Sequence, residues 1–231
     1  MAAKKKADNK AKDEVHAAKK AKTHTRYYDK AGKLVVGVTT CLNMMAKPAL
    51  VPWANKLGLR GIDSRTYVDE LALIGTLSHY MIECMLKDVK PNYGDFTPNQ
   101  VSLAENSAIK FLQWQETLKS FELIASEKKV VNEEFGYGGT CDIFAKIDGR
   151  NTVLDIKTSK AIYSEAHTQV VAYAKALKEE GFVVDDIKVV RIGRNEEEGF
   201  EIVQVMQDTW DLHWNRFLAC KKIYDINKLL K

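Results

Sequence analysis

Gly139-Thr-Cys-Asp-Ile-Phe-Ala-Lys-Ile-Asp-Gly-Arg-Asn-Thr-Val-Leu-Asp-Ile-Lys-Thr158 reads as two short strands folded about Asp148-Gly149. Asp-Gly between two alternating apolar runs is the strongest short-range signal for a two-residue type I′ loop, because both loop positions need φ > 0. The turn fixes the register. Ile147 faces Arg150, and counting outward sets Asp142 opposite Asp155 and Thr140 opposite Lys157. One face then holds two carboxylates and an ammonium group. The other holds Cys141, Ile143, Ala145 and Ile147 against Thr152, Leu154 and Ile156, an almost wholly apolar surface suited to core packing.

Two aspartates a few ångströms apart repel unless a proton or a cation sits between them. Hard oxygen ligands suit Mg²⁺ or Mn²⁺, which keep several waters and take one or two carboxylates from a protein. Lys157, two residues beyond Asp155 on the same side of the strand, is placed to orient or deprotonate a water and to offset charge on a phosphate. A surface ion cluster is the competing reading, since Asp-x-Lys alone is a common string; the paired Asp142 sets this one apart.

Gly139-Thr140-Cys141-Asp142 followed by Leu154-Asp155-Ile156-Lys157-Thr158 resembles the paired core motif of the PD-(D/E)xK nucleases, in particular the RecB-like exonuclease branch with its G-x-x-D and D-x-K-T segments. Gln169 and Tyr173 match the branch's Q-x-x-x-Y motif, and Gly75-Thr76-Leu77-Ser78-His79 matches its G-T-x-x-H motif. All four occur in the family's order between residues 75 and 173. The resemblance implies a restriction-endonuclease-like core: an α/β domain with a mixed central sheet flanked by helices. It also implies a metal held by Asp142, Asp155, His79 and the main-chain carbonyl of Ile156. Lys157, Gln169 and Tyr173 complete the implied catalytic set, and Thr76 and Glu83 are supporting candidates beside His79. Relatives place a further acidic residue ahead of the first aspartate. Glu133 and Glu134 both qualify, and the spacing E-x-G-x-x-G-T-x-D favours Glu134. Some CRISPR-associated relatives carry an iron–sulfur cluster on one early and three late cysteines; here only Cys220 is late, so no cluster is expected.

The length of 231 residues and a 45% hydrophobic content are enough for one domain with a sizeable core. Cys41, Cys84, Cys141 and Cys220 are scattered without C-x-x-C spacing, which suggests neither a zinc site nor a disulfide framework and fits a reducing cytoplasm. Residues 1–26 form a basic, low-complexity arm expected to be disordered, with nine Lys/Arg against three Asp/Glu, so that the body from 27 to 231 is slightly acidic. The arm reads either as a solubilising tail or as a segment attracted to phosphates. No apolar run suits a signal peptide or a membrane span.

Tyr27–Val38 suggests a short hairpin, with Thr39 or Thr40 capping the next helix. Pro48 and Pro52 break and restart that helix; Trp53 is read as core, with base stacking as its alternative. Asp63 or Ser64 opens a long helix to Lys87 whose apolar stripe includes His79. A histidine on such a stripe is ordinarily a hydrogen-bonded core residue; the motif match is what assigns it to a metal. Thr97-Pro98 starts a helix to about Leu118, and Lys128–Glu134 is a strand leading to the hairpin. Thr158–Lys178 is a helix with Ser164 as a cap, placing Gln169 and Tyr173 on one face. Ile187–Ile192 then completes a βαβ unit. Asn195–Gly199 is an acidic, solvated turn leading to a strand over 200–206, and a last helix over 208–230 brings Trp210, Trp214, Phe217 and Leu218 to the core.

The resemblance implies a metal-dependent DNA nuclease, an exonuclease leaving 5′-phosphate ends in recombination, repair or phage DNA processing in a bacterial or phage-infected cell. A structure-specific endonuclease, a non-cutting DNA-end binding module and a basic architectural protein are the alternatives. The chain has no P-loop and so no expected nucleotide cofactor; a helicase or a recombination or single-strand-annealing protein would be a separate partner.

Overall fold

The computed structural model describes residues 25–230, so the basic arm expected over 1–26 lies almost wholly outside the described residues. Seven strands form one mixed sheet: β1 (Tyr27–Tyr28), β2 (Leu34–Gly37), β3 (Phe121–Asn132), β4 (Tyr137–Ile147), β5 (Arg150–Lys157), β6 (Asp186–Ile192) and β7 (Phe200–Gln204). The order is β1-β2-β4-β5-β6-β7, with β3 antiparallel against β4. The helices are α1 (Val38–Leu42), α2 (Leu50–Gly58), α3 (Ser64–Lys87), α4 (Pro98–Glu116), α5 (Ser164–Glu179) and α6 (Trp210–Leu229). The chain is therefore α/β, a mixed sheet flanked by helices. Among the described residues no helix is long and apolar enough to cross a membrane.

Local signals account for most boundaries. Asp63 caps α3 by accepting from the Arg65 and Thr66 amides, and Thr97 with Gln100 makes a capping box ahead of Pro98. The hairpin turn has φ of 49° at Asp148 and 83° at Gly149, as a type I′ loop requires. The β5-α5-β6 segment joins two parallel neighbours, Val153 beside Ile187 and Ile156 beside Val190. Other boundaries depart from the sequence reading. Gly37, not a threonine, precedes α1, and no side chain caps it. Helix α5 starts at Ser164, leaving 158–163 as a loop, and has Tyr163 rather than Ser164 at its N-cap. Strand β3 begins at Phe121, seven residues before the expected start, because Leu123 and Ala125 pair across a bulge with β4. The acidic turn is not wholly solvated: Arg194, 6% exposed, clasps Glu198.

Each face of the sheet has its own core. Phe144 and Val153 pack with Val38, Tyr137, Tyr173, Leu177 and Phe217 beneath α1, α5 and α6. Ile143, Ile147, Leu154 and Ile156 pack with Ile74, Leu77 and Phe111 beneath α3 and α4. Cys141 was expected beside Ile143 but lies in the first core with Tyr137. The faces exchange between them because the β3–β4 ladder skips the rung of Glu127 and Asp142, where Glu127 takes a left-handed backbone with φ of 47°.

Two glycines let helices close on this region. An added Cβ at Gly75 of α3 would come within 2.7 Å of Thr158 Oγ1, and one at Gly139 of β4 within 2.2 Å of the Tyr173 ring. The ring is itself fixed in the core, so the overlap cannot be relieved by a flexible chain end. Gly139→Ala is expected to destabilise the fold by about 1–3 kcal/mol, the range for overpacking, measurable as a lower urea midpoint at unchanged m-value. A midpoint equal to that of the parent would mean that the Tyr173 ring is free to move.

Candidate metal centre

Strand β4 has two edges. Strand β3 covers one along its length, while β5 pairs with the other from Ile147↔Arg150 to Ile143↔Leu154 and β2 takes Tyr137 and Gly138 at the far end. Between those two partners the hairpin ladder ends, and Asp142 replaces it with its side chain: Oδ2 accepts the Ile156 amide at 2.7 Å. Backbone N–H and C=O of one strand residue point to the same edge. The Ile156 carbonyl therefore also turns towards the opening between β4 and β5.

His79 enters this opening from α3. Its Nδ1 lies 3.7 Å from Asp142 Oδ1 and 3.7 Å from Glu127 Oε1. Ligand atoms of His79, Glu127 and Asp142 all fall within 4.8 Å of one another, so the three residues can hold a metal ion. Asp155 lies behind them, fully buried; its Oδ2 meets Lys157 Nζ at 2.7 Å, and its Oδ1 has no hydrogen-bond donor. An orphaned, buried carboxylate oxygen is unfavourable unless a cation or water reaches it. Together with the converging imidazole and carboxylates, it is an oxygen-rich donor set that fits a divalent cation.

Lys157 also donates to Gln169 Oε1 at 3.3 Å, and Gln169 Nε2 donates to the Tyr173 hydroxyl at 2.8 Å. Lys157 of β5 and Gln169 of α5 thus link Asp155 to the buried Tyr173, which lies one helical turn beyond Gln169 and whose ring rests on Gly139. At the outer end of the same strand the Tyr27 hydroxyl and Thr140 Oγ1 are 3.0 Å apart.

The electrostatics follow from withdrawing these charges from water. Burial raises the Asp155 carboxyl to about 6 despite the opposing pull of Lys157. Burial also raises Asp142, helped by Glu127 and opposed by His79. For His79, burial favours the neutral ring, but Asp142 and Glu127 outweigh it and push the imidazole up to about 9. Lys157 behaves alike: burial opposes its charge, Asp155 and Asp142 outweigh burial, and its ammonium is held above the usual range.

Asp142, Asp155, Lys157, Gln169, Tyr173 and His79 thus meet in one region. Others named from the sequence do not. Thr76 is exposed and bonds back to the Ala72 carbonyl at 2.9 Å, while Glu83 pairs with Lys87 at 2.7 Å. Glu133 accepts from the Lys30 amide, and the Glu134 amide donates to Glu179, both in the turn after β3. The carboxylate that converges with Asp142 is Glu127, which the sequence reading missed. Glu127 stands opposite Asp142 once β3 is aligned on β4, but that alignment requires the bulge at 123/125. The metal-binding group contains no cysteine, and all four cysteines are buried and free.

No family model matches the chain, and a search of curated proteins finds no match.

A cation at this centre must displace protons from Asp155 and His79. Mn²⁺ affinity is therefore expected to rise from pH 5.5 to pH 9, first as Asp155 ionises near 6 and then as His79 loses its proton near 9. Titration calorimetry at pH 7.5 in buffers of different ionisation enthalpy should show proton release. A pH-independent affinity with no proton release would place the ion elsewhere.

Proposed function

We propose that the protein is a metal-dependent deoxyribonuclease with a restriction-endonuclease-like core, of the RecB-like PD-(D/E)xK kind that its motifs resemble. The observation that carries this reading is the meeting of His79, Glu127 and Asp142 where the hairpin opens, with the Asp155–Lys157 pair directly behind. Its substrate is DNA, cut to leave 5′-phosphates, and an exonuclease working from ends is the preferred mode. A helicase or annealing protein would be supplied separately.

Mg²⁺ or Mn²⁺, bound when the enzyme acts, supplies a Lewis acid that polarises the phosphoryl oxygens and makes a water nucleophilic at neutral pH. Asp142, Asp155 and the Ile156 carbonyl would hold it from the strands, and His79 and Glu127 from the other side. Lys157 is kept cationic by its two aspartates. Its role is accordingly to orient the attacking water and to neutralise charge on the scissile phosphate, rather than to remove a proton. Gln169 accepts a hydrogen bond from the ammonium group and so helps to position it, and Tyr173 fixes Gln169. Glu127, with no strand partner on its own rung, completes the ligand set.

The test compares linear and closed circular DNA, end-labelled where ends exist, with Mg²⁺, Mn²⁺ or EDTA, for the parent and for Lys157→Ala and Asp155→Asn. Cleavage of linear DNA is expected, lost in EDTA and reduced about 10²–10³-fold or more in each variant, the scale for removing one charge-stabilising group. Cutting of circles would make the enzyme an endonuclease. Full activity in either variant would remove the catalytic assignment, and metal-dependent DNA binding without cleavage would favour a binding module.

A further inference from the structure

Where the start of α5 packs against α6 lie polar groups that the proposed reaction does not use. Arg216 of α6 is exposed, and its Nη2 donates to Ser164 Oγ at 3.2 Å. Among the described residues the ion pairs near it are Lys47–Glu165 and Lys175–Asp211, neither of which includes Arg216. One turn earlier on α6, His213 packs edge-on against His167 of α5, with ring centres 5.6 Å apart at 87°. His213 Nδ1 lies 3.1 Å from the hydroxyl of the buried Thr168. His167 Nε2 is buried without any hydrogen-bond partner. Glu165, next to Ser164, pairs with Lys47 at 3.1 Å and also lies within electrostatic reach of Arg216.

Each component favours an anion of a particular kind. A guanidinium held only by a hydroxyl keeps most of its fork free, and that fork matches two phosphate oxygens. Burial keeps both imidazoles below the usual histidine range, with Arg216 acting in the same direction on each, so at neutral pH they are uncharged hydrogen-bonding rings. The Thr168 hydroxyl and His213 Nδ1 share one hydrogen bond, which leaves Nε2 as the ring nitrogen for a ligand. One positive charge with neutral donors suits a singly charged phosphodiester or a terminal phosphate. The place suits a nucleic acid strand as well. Ser164 precedes Gln169 by five residues, about 7.5 Å along the helix axis, or roughly two base steps of about 3.4 Å each.

We propose that Arg216, His213 and Ser164 form a phosphate-contact site for the strand that is cut at the metal centre. The inference rests on the nuclease reading and extends it by giving the substrate backbone a second point of attachment across α5. The phosphate can be an internal diester or the 5′ end, and these two sources are separable by experiment.

The full chain and its Arg216→Gln, Arg216→Lys and His213→Ala variants would be titrated by fluorescence anisotropy onto a 3′-labelled oligonucleotide carrying either a 5′-phosphate or a 5′-hydroxyl. Ca²⁺ would replace the activating ion, and salt would be varied. Arg216→Gln is expected to weaken binding about tenfold at low salt and to lower the slope of log K against log salt by about one, the signature of one lost phosphate contact. Arg216→Lys should restore the slope, and His213→Ala should weaken binding without changing it. A loss confined to the 5′-phosphorylated strand identifies the terminal phosphate; an equal loss on both identifies a diester. If the parent binds and cuts DNA while Arg216→Gln has parental affinity and slope, the phosphate-contact site is overturned and the nuclease reading stands. A parent that binds no oligonucleotide overturns both.

Discussion

Three acidic side chains, Glu127, Asp142 and Asp155, are gathered where β4 and β5 part, and two of them are largely removed from water. Carboxylates so placed resist ionisation and repel one another, so the surrounding structure must supply positive charge or hydrogen-bond donors. It supplies three: the His79 imidazole, the Lys157 ammonium group and the Ile156 amide. Asp155 Oδ1 receives none. That residual deficit makes a cation the natural complement of the site, while the carboxylates themselves, outweighing burial, hold His79 and Lys157 above their usual ranges.

The fold can be understood as the means of holding that arrangement. Pairing β4 fully with β3 on one edge, but only at its ends with β2 and β5 on the other, leaves a gap in an otherwise continuous sheet. Helix α3 reaches the gap because Gly75 permits contact with Thr158, and α5 reaches it because Gly139 accepts the Tyr173 ring. Two separate apolar cores, one on each side, keep both helices pressed against the sheet. The left-handed backbone of Glu127 is the local strain that aims its carboxylate into the gap.

The hairpin was the most legible part of the sequence, because Asp148-Gly149 fixes its register through turn geometry alone. Its pairing holds from Ile147 to Ile143, and what lies beyond could be read only by chemistry. Alternation predicts that Cys141 and Ile143 share a face, whereas a skipped rung at Glu127 and Asp142 sends them to opposite cores. The same irregularity hid Glu127. No turn residue or glycine marks it, and the nearby Glu133 and Glu134 have the more suggestive spacing. His79, by contrast, was recoverable only from its motif, since helical periodicity alone places it in a packing stripe. The His167–His213 contact joins two helices 46 residues apart and has no local signature at all.

These acids and His79 are arranged so that they can hold a divalent metal at the opening between β4 and β5. Anomalous diffraction from a crystal soaked in Mn²⁺ tests it most directly. One strong peak is expected, bounded by Asp142, Glu127 and His79, with Asp155 Oδ1 and the Ile156 carbonyl turned towards it and oxygen ligands roughly 2.0–2.3 Å away. A peak at another site, with Asp155 still held by Lys157 alone, would contradict it.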